Sequence, residues 1–395
     1  MPGPALESFF FDDVHYAIAR DAARVARERM APIRDRFESG AADEDEAARA
    51  FTRELGAAGL LDLCVPEDFG GRFPLVDLRA LCVVREALAY ESGFADTCFV
   101  LQGLGGYPMA LPHVRDGSEP TALSKEWLPR VARGEAISAF AVTEPEAGSD
   151  LAACSTRARR EGDQWILNGE KTFISNAGVA DFFTVLARTS ELPGAKGLSM
   201  IFVPASTPGV RVERFRVIAP HPIGKVIFHE ARVPVANLLD AEGGGMRLAL
   251  SNLDLFRTSV GAAACGFARR ALDDSIARVK TRSQFGKPLS EQQLTRAALA
   301  EMATDLEAAR LLVYRAAAAQ DRGASRLTSA VSMAKLFATE AAQRIVDRAV
   351  QLHGGLGVVH GTTVERLYRD VRALRIYEGT TEIQKLVIAK GLLEI

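Results

Sequence analysis

One glutamate near the end of the chain stands where a closing helix would ordinarily carry an unbroken periodic face. In the stretch IYEGTTEIQKL, Glu378 follows the aromatic Tyr377 and precedes a Gly-Thr pair. An acid at the start of a helix is favoured by the helix dipole, and this is the purely structural explanation. The chemical explanation is a reactive carboxylate, because burial in an apolar pocket raises the pKa of such a group and suits it to act as a general base.

Two segments in the middle of the chain carry side chains suited to a flat or anionic ligand. AVTEPEAGSD offers Thr143 and Ser149 on a loop with exposed N–H groups, although Pro and Gly also make plain turns. GEKTFISNAG places Phe173 and Ser175 two residues apart in an extended run. Both would face the same side of a strand and meet one ligand, unless Phe173 belongs to the core.

Two later segments follow helical stretches. In RSQFG, Arg282 could meet a phosphate and Phe285 an apolar edge. A solvated arginine after a helix is the usual alternative explanation for Arg282. In QLHGGLG, Gln351 precedes clustered glycines, including Gly355, that would let the backbone approach a ligand or simply end a helix. His353 has no Cys or second His at ligand spacing, so no metal site is expected.

Composition excludes several classes of function. The 395 residues include 48 Lys and Arg against 50 Asp and Glu, with both signs interspersed, so neither nucleic acid nor an anionic membrane is an expected partner. The five cysteines are widely spaced and lack a CxxC pair, which indicates buried thiols in a reducing compartment. With no leader-like N-terminus and no apolar run of spanning length, we expect a soluble, cytoplasmic protein.

The pattern of apolar residues changes twice along the chain. Helical spacing is followed by short alternating runs such as FFTVLA and LSMIFVPA, and then by long Ala-rich helical patterns. Alternating βαβ units are absent, which disfavours a doubly wound nucleotide fold. The expected fold is mainly α with a central β domain, divided into residues 1–134, 135–237 and 238–395.

The order and spacing of these segments resemble the acyl-CoA dehydrogenase family along nearly the whole chain. AVTEPEAGSDLAA and QLHGGLGV are similar to its two signatures, and VPEDFGG, RSQFG and IYEGTTEIQ complete the pattern. The resemblance implies an N-terminal α-helical domain, a middle β-barrel or sandwich and a C-terminal four-helix bundle. It also implies FAD as the cofactor and a homo-oligomer, in this family usually a tetramer.

The resemblance assigns residues of this chain to FAD. Thr143 would bond the flavin pyrimidine edge, and Ser149 would lie near the pyrophosphate. Phe173 and Ser175 would face the isoalloxazine, with Ser175 reaching towards N5. Four residues would reach into the FAD site of a neighbouring subunit: Arg282, Phe285, Gln351 and Gly355. Thr380 and Glu382 would lie beside the adenine.

The reaction that the resemblance implies is oxidation of an acyl-CoA thioester to a trans-2-enoyl-CoA. A base must remove the α-proton while a hydride leaves Cβ for flavin N5, and Glu378 would be that base. Its backbone N–H and a flavin ribityl hydroxyl would polarise the thioester carbonyl. Electrons would pass to an electron-transfer flavoprotein. Some members carry the base on the helix holding LDLFR, where this chain has Phe256.

The remaining assignments concern the substrate. Asp254 would contact the CoA moiety and Arg257 would brace the site, although both could be helix-surface charges. Because Phe256 narrows the pocket and Ala95 supplies no arginine for a distal carboxylate, we expect short, branched or cyclic acyl groups rather than long or dicarboxylyl chains. The residues expected to contact the substrate are Phe99, Gln102, Asp254, Phe256, Arg257 and Tyr377.

The sequence departs from the family pattern at several positions. Phe173 replaces a frequent Trp and Ser175 a frequent Thr, but the aromatic plane and the hydroxyl are kept. The loop at 217–226 is shorter than usual, which affects the expected CoA entrance. A flavin oxidase or monooxygenase, and a non-catalytic or DNA-associated member, are the alternative functions. The DNA-associated branch would predict a basic C-terminal surface, whereas acids are mixed through that zone here.

Overall fold

A computed structural model describes residues 9–324 and 327–393 of the chain. Packing divides it into two compact units. One, the helical unit, comprises Met1–Pro32, Leu78–Asp96 and Arg257–Ile395, and the other, the sheet unit, comprises Ile33–Asp77 and Thr97–Phe256. The division at 134/135 and 237/238 stays a prediction, and residues 1–8, 325–326 and 394–395 of its outer domains lie outside the described part.

The order of elements is helices, then strands, then helices, as the sequence predicts. In chain order the helices are α1 (Asp13–Val25), α2 (Ala31–Glu38), α3 (Glu44–Ala57), α4 (Leu78–Glu91), α5 (Gly93–Gly106), α6 (Leu111–Asp116), α7 (Ala122–Ala132), α8 (Gly245–Thr281), α9 (Gln293–Asp321), α10 (Thr328–His353), α11 (Thr363–Val371) and α12 (Thr381–Leu393). The strands are β1 (Ser138–Ala141), β2 (Arg157–Glu161), β3 (Gln164–Ser175), β4 (Phe182–Arg188), β5 (Leu198–Pro204), β6 (Val210–Arg214), β7 (Ile223–Pro234), β8 (Ser283–Gln284) and β9 (Lys287–Pro288).

Small residues let the long helices of the helical unit approach closely. A Cβ added at Gly261 of α8 would lie 2.6 Å from Val313 Cγ2 of α9, and one at Gly266 would lie 2.4 Å from the carbonyl oxygen of Glu86 in α4. Helix α10 packs against α9, α11 and α12, and α4 packs against α1 and α9. These contacts connect α4, α8, α9, α10 and α12. Residues that are distant in the sequence can therefore lie side by side.

The sheet unit is built on a seven-stranded sheet in the order β1-β4-β2-β3-β7-β6, with β5 paired to β4. Its two longest strands, β3 and β7, pair antiparallel with two register shifts, the second between Lys171 and Ile174. Apolar side chains on its inner face, such as Trp165, Phe183 and Phe228, form the core. The rigid β3–β7 pair therefore presents the end of β3 at a fixed position.

All five cysteines are buried, and the described part of the chain contains no disulfide. Cys154 differs from the apolar surroundings that the sequence indicates, because its thiol donates to the Glu144 carboxylate at 3.1 Å and accepts from Lys171 Nζ at 3.4 Å.

Across the described ranges, no helix combines the length and the apolar character that crossing a membrane would require.

Candidate active site

A buried ion pair in the sheet unit fixes the loop that carries Thr143 and Ser149. The Glu144 carboxylate accepts from Lys171 Nζ at 2.7 Å and from the backbone N–H groups of residues 155–156 at 2.7 and 2.9 Å. Burial alone would raise the pKa of Glu144, but the Lys171 charge and these donors outweigh it and hold the pKa below its ordinary value. The anchored loop leaves Thr143 half-buried and Ser149 exposed, so both hydroxyls can reach a ligand.

Near its end, β3 leaves its regular ladder at Phe173, between Lys171 and Ile174, and is paired again at Ser175, the second residue predicted to face a flat ligand. Phe173 has a φ of 54°, which a bulky side chain rarely adopts. Its ring is 64% exposed, Ile174 is buried, and Ser175 is half-buried. An exposed aromatic held in a strained conformation beside a hydroxyl is typical of a surface shaped for a ligand.

His221 is a neighbour of Ser175 that sequence reasoning missed. Its Nδ1 lies 2.9 Å from the carbonyl oxygen of Ala219, which can only accept, so Nδ1 carries the proton. In the neutral ring Nε2 is then an acceptor, and the Ser175 hydroxyl donates to it at 3.0 Å. Burial lowers the pKa of His221 and the Arg214 charge adds to this shift, which favours the neutral ring. The imidazole thus sets the direction of the Ser175 O–H bond.

The residues expected to line the acyl pocket are among the most buried of the sheet unit. Phe99, Gln102 and Phe256 are all 0% exposed, whereas Asp254 is half-buried. The Phe256 ring fills the space beside Gly103, where an added Cβ would lie 2.5 Å from it. Gln102 Oε1 accepts from the backbone N–H at the start of β1 at 3.3 Å, and its Nε2 has no hydrogen-bond partner among the described residues.

In the helical unit, Glu378 occupies a strained turn ahead of α12. Its φ is 52° and that of Gly379 is 92°. Arg257 Nε donates to the Glu378 carbonyl at 3.0 Å, while Lys335 Nζ and Gln384 Nε2 donate to the Gly379 carbonyl at 2.7 and 3.1 Å. Three donors therefore hold two consecutive carbonyls, and this compensates for a backbone conformation that a glutamate rarely adopts.

Burial and nearby positive charges have opposite effects on the pKa of the Glu378 carboxyl. Its Oε2 is enclosed and has no hydrogen-bond partner in the described ranges. Burial raises the pKa of Glu378 above its ordinary value, and Arg85 leads the charges that oppose this rise. Arg85 is itself buried, with Nε and Nη2 on the Asp96 carboxylate at 2.8 and 2.7 Å and Nη1 on Ser259 Oγ at 2.9 Å. Tyr377, 38% exposed, also lies in the field of Arg85.

The other residues assigned to the cofactor from the helical unit lie mainly on its surface. Phe285, at the tip of the β8–β9 hairpin, is 96% exposed and has a φ of 53°. Thr380 is half-buried, and its Oγ1 accepts from the backbone N–H of Ile383 at 3.3 Å, which caps α12. Four further side chains or backbones are exposed: Arg282, Gln351, Gly355 and Glu382.

The structure brings some of the predicted residues together within each unit. In the sheet unit, the Thr143 carbonyl accepts from the backbone N–H of residue 172 at 2.9 Å, so this loop lies against the strand that carries Phe173 and Ser175. In the helical unit, Arg257 contacts Glu378. Sequence reasoning missed Arg85 and Lys335. The signal for both was a basic residue inside an apolar helical run, in LCVVREALA and SMAKLFA.

Comparisons with known proteins agree across the chain. Residues 12–135 match the family description acyl-CoA dehydrogenase, N-terminal domain, residues 139–231 the middle domain, and residues 243–393 the C-terminal domain. Cyclohexane-1-carbonyl-CoA dehydrogenase of Geobacter metallireducens is 36% identical over 94% of this chain and 95% of its own.

Two solved structures are similar over nearly their full length. Butyryl-CoA dehydrogenase from Megasphaera elsdenii has a TM-score of 0.89 at 31% identity, covering 98% of this chain and 100% of that one. A chain from structural work on the electron transferring flavoprotein of Acidaminococcus fermentans and flavin-based electron bifurcation has a TM-score of 0.90 at 32% identity, covering 98% and 100%.

Proposed function

Because this chain belongs to the acyl-CoA dehydrogenase family of FAD-dependent oxidoreductases, we propose that it oxidises an acyl-CoA thioester between Cα and Cβ to the trans-2-enoyl-CoA. Family membership confirms the resemblance, the fold class and FAD as the cofactor. The observation that carries the proposed reaction is the state of Glu378. It is a carboxylate with one enclosed, unpartnered oxygen, a pKa raised by burial and a backbone held in a strained turn.

Glu378 has the properties that removal of an α-proton requires. The α-proton of a thioester is weakly acidic, so the base works best when its pKa lies near the working pH. Burial moves the pKa of Glu378 in that direction. The Glu378 N–H would donate to the thioester carbonyl and stabilise the charge that develops there. When bound, FAD supplies the acceptor for the hydride that leaves Cβ.

The sheet-unit residues fit a flat, hydrogen-bonding cofactor. The exposed Phe173 ring offers an apolar face, and Ser175 and Thr143 offer hydroxyls beside it. In the anchored loop, a Cβ added at Gly148 would meet nothing within 4 Å, so the backbone next to Ser149 is open to a phosphate. We assign Thr143, Ser149, Phe173 and Ser175 to FAD on this basis.

The exposed residues of the helical unit support a shared cofactor site. Phe285 lies at a hairpin tip and is 96% exposed. Covering this aromatic ring with another subunit would stabilise the assembly. We propose a homo-oligomer, expected to be a tetramer, in which Arg282, Phe285, Gln351 and Gly355 reach the FAD of a neighbouring subunit. Thr380 and Glu382 would lie beside the adenine.

The expected substrates are short, branched or cyclic acyl-CoA thioesters. Phe256 is fully buried and fills the space beside Gly103, so little room is left for a long chain where the sheet unit contributes to the pocket. The names of two relatives, cyclohexane-1-carbonyl-CoA dehydrogenase and butyryl-CoA dehydrogenase, support this class. The physiological acceptor would be an electron-transfer flavoprotein, the protein class named in the structural work that includes a similar chain. The expected location is the cytoplasm.

The test is anaerobic addition of a panel of acyl-CoA thioesters to the purified FAD protein while flavin absorbance is followed. Bleaching by short, branched or cyclic thioesters, but not by long or dicarboxylyl ones, is expected. Oxygen consumption during turnover would instead favour the oxidase or monooxygenase function. If FAD is bound but no thioester bleaches it, the proposed reaction is wrong. Binding to duplex DNA at moderate salt would then favour the DNA-associated branch.

A further inference from the structure

Lys335 is a buried cation beside the Glu378 turn that no motif pointed to. It lies inside α10 and is 0% exposed. In the described part of the chain its ammonium donates to the carbonyl oxygen of Gly379 at 2.7 Å, and no ion pair joins it to a carboxylate. Burying an ammonium that satisfies one of its three donors with a neutral oxygen is costly. A buried lysine that has a shifted pKa and a specific charged neighbour is a candidate for a functional role.

The electrical environment of Lys335 links it to Glu378. Burial lowers the pKa of Lys335 to about 8, and the charge of Glu378 is the largest influence that opposes this. Arg257 lowers the Lys335 pKa further, while Glu340 and Glu382 raise it. The influence is mutual, since the Lys335 charge is among those that oppose the rise in the Glu378 pKa. Each ionised group therefore favours ionisation of the other.

The geometry gives Lys335 a second effect on the same residue. The Gly379 carbonyl that it binds belongs to the turn in which two consecutive residues have positive φ. A side chain at position 379 would be strained, because Gly379 has a φ of 92°, and Gln384 would also have to move since the added Cβ would lie 2.4 Å from its Nε2. The donors around the turn therefore decide where the Glu378 side chain points.

We propose that Lys335 is a positioning residue for the Glu378 base, helping to fix the turn from which Glu378 projects and adding to Arg85 and Arg257 a third positive charge that favours the ionised carboxylate. The proposal rests on the proposed function for the role of Glu378 as base. The coupling between the two groups does not depend on turnover and can be measured separately. Removing the charge should therefore impair ionisation of Glu378, while Gln384 Nε2 still supplies a donor to the Gly379 carbonyl.

The experiment compares Lys335→Met, Lys335→Gln and Lys385→Met with the wild-type FAD protein. Lys335→Gln keeps a donor for the Gly379 carbonyl but removes the charge, and Lys385→Met removes the same charge from an exposed position on α12. Difference infrared spectroscopy follows the protonated carboxyl band across pH, and the band is assigned by its absence in Glu378→Gln. This readout works with or without a substrate.

Both Lys335 variants should raise the midpoint of the Glu378 band by about one pH unit or more, which is at least tenfold in the ionisation constant. Lys385→Met should not move it. The pH at which flavin reduction by an active thioester slows on the acid side should rise together with the midpoint of the Glu378 band. Lys335→Gln should keep more of the maximal rate than Lys335→Met. An unmoved midpoint in a folded, FAD-containing Lys335→Met protein would overturn the proposal. If no thioester reduces the wild-type flavin, the proposed reaction fails, but the infrared midpoint still tests the coupling.

Discussion

Replacing Arg85 with methionine is expected to destabilise the helical unit by about 3–5 kcal/mol, because Asp96 would keep a buried charge without its partner. The two side chains are 1% and 3% exposed, and the guanidinium makes two hydrogen bonds to the carboxylate and one to Ser259. Burial alone would lower the pKa of Arg85, but Asp96 outweighs it and holds that pKa above its ordinary value. Methionine fills much of the arginine volume, so the loss is mainly electrostatic.

The double variant Arg85→Met/Asp96→Leu separates this charge effect from packing. With both charges removed, stability should return to within about 1–2 kcal/mol of wild type or exceed it. The matched control is the exposed pair Arg344 and Asp305, 54% and 32% exposed, with side chains joined at 2.9 Å. Its single variants should cost less than about 1 kcal/mol.

The assay is guanidinium unfolding followed by circular dichroism, with FAD in fixed excess. The midpoint should fall in Arg85→Met while the slope with denaturant is unchanged, since a changed slope would mean altered compactness. An Arg85→Met protein as stable as the Arg344→Met control would refute the reasoning. So would a double variant no more stable than the single one.

Three further predictions concern the sheet unit. His221→Phe removes the acceptor of the Ser175 hydroxyl at a cost of about 1 kcal/mol, so FAD should bind about fivefold more weakly by fluorescence titration. In a Ser175→Ala background, His221→Phe should weaken FAD binding no further, because His221 acts through the Ser175 hydroxyl. Phe256→Ala should cost about 3–5 kcal/mol in unfolding and shift the thioester preference towards longer chains in a kcat/KM series. Glu144→Gln should lower stability at neutral pH, because a carboxylate with a depressed pKa stabilises the folded state at pH values above its pKa in the unfolded chain. As the pH falls and wild-type Glu144 becomes protonated, the difference between the melting temperatures of wild type and variant should disappear.

The elements that position the site could be predicted from apolar periodicity. The change from 3.6-residue to two-residue spacing near residue 135, and back near 238, marks where β1 and α8 begin. The positive φ of Glu378 could not be predicted from the sequence, because glutamate rarely adopts this conformation. Three donors from other parts of the chain hold the turn in place. A side chain such as Glu378 is recognisable from its motif, whereas its conformation depends on tertiary contacts.

Pairs that meet across the fold also escaped prediction. Arg85 and Asp96 lie on successive helices and bond each other directly, while Arg85 also bonds Ser259 on α8, and no local sequence pattern indicates these contacts. His221 lies in the loop that departs from the family pattern, where a comparison of motifs has least to say. Lys335 interrupts an apolar helical run, but the sequence does not show that its partner is the Gly379 carbonyl, which lies far along the chain.

A single anaerobic turnover of wild type and Glu378→Gln, with the most reactive thioester of the panel, tests the role of Glu378 most directly. The variant keeps the size of the side chain but cannot accept the α-proton, so flavin reduction should slow by about 10²–10⁴-fold. FAD content and thioester affinity, measured on the same samples, should match wild type. Flavin reduction at the wild-type rate in Glu378→Gln would show that another group removes the proton and would contradict the proposed mechanism.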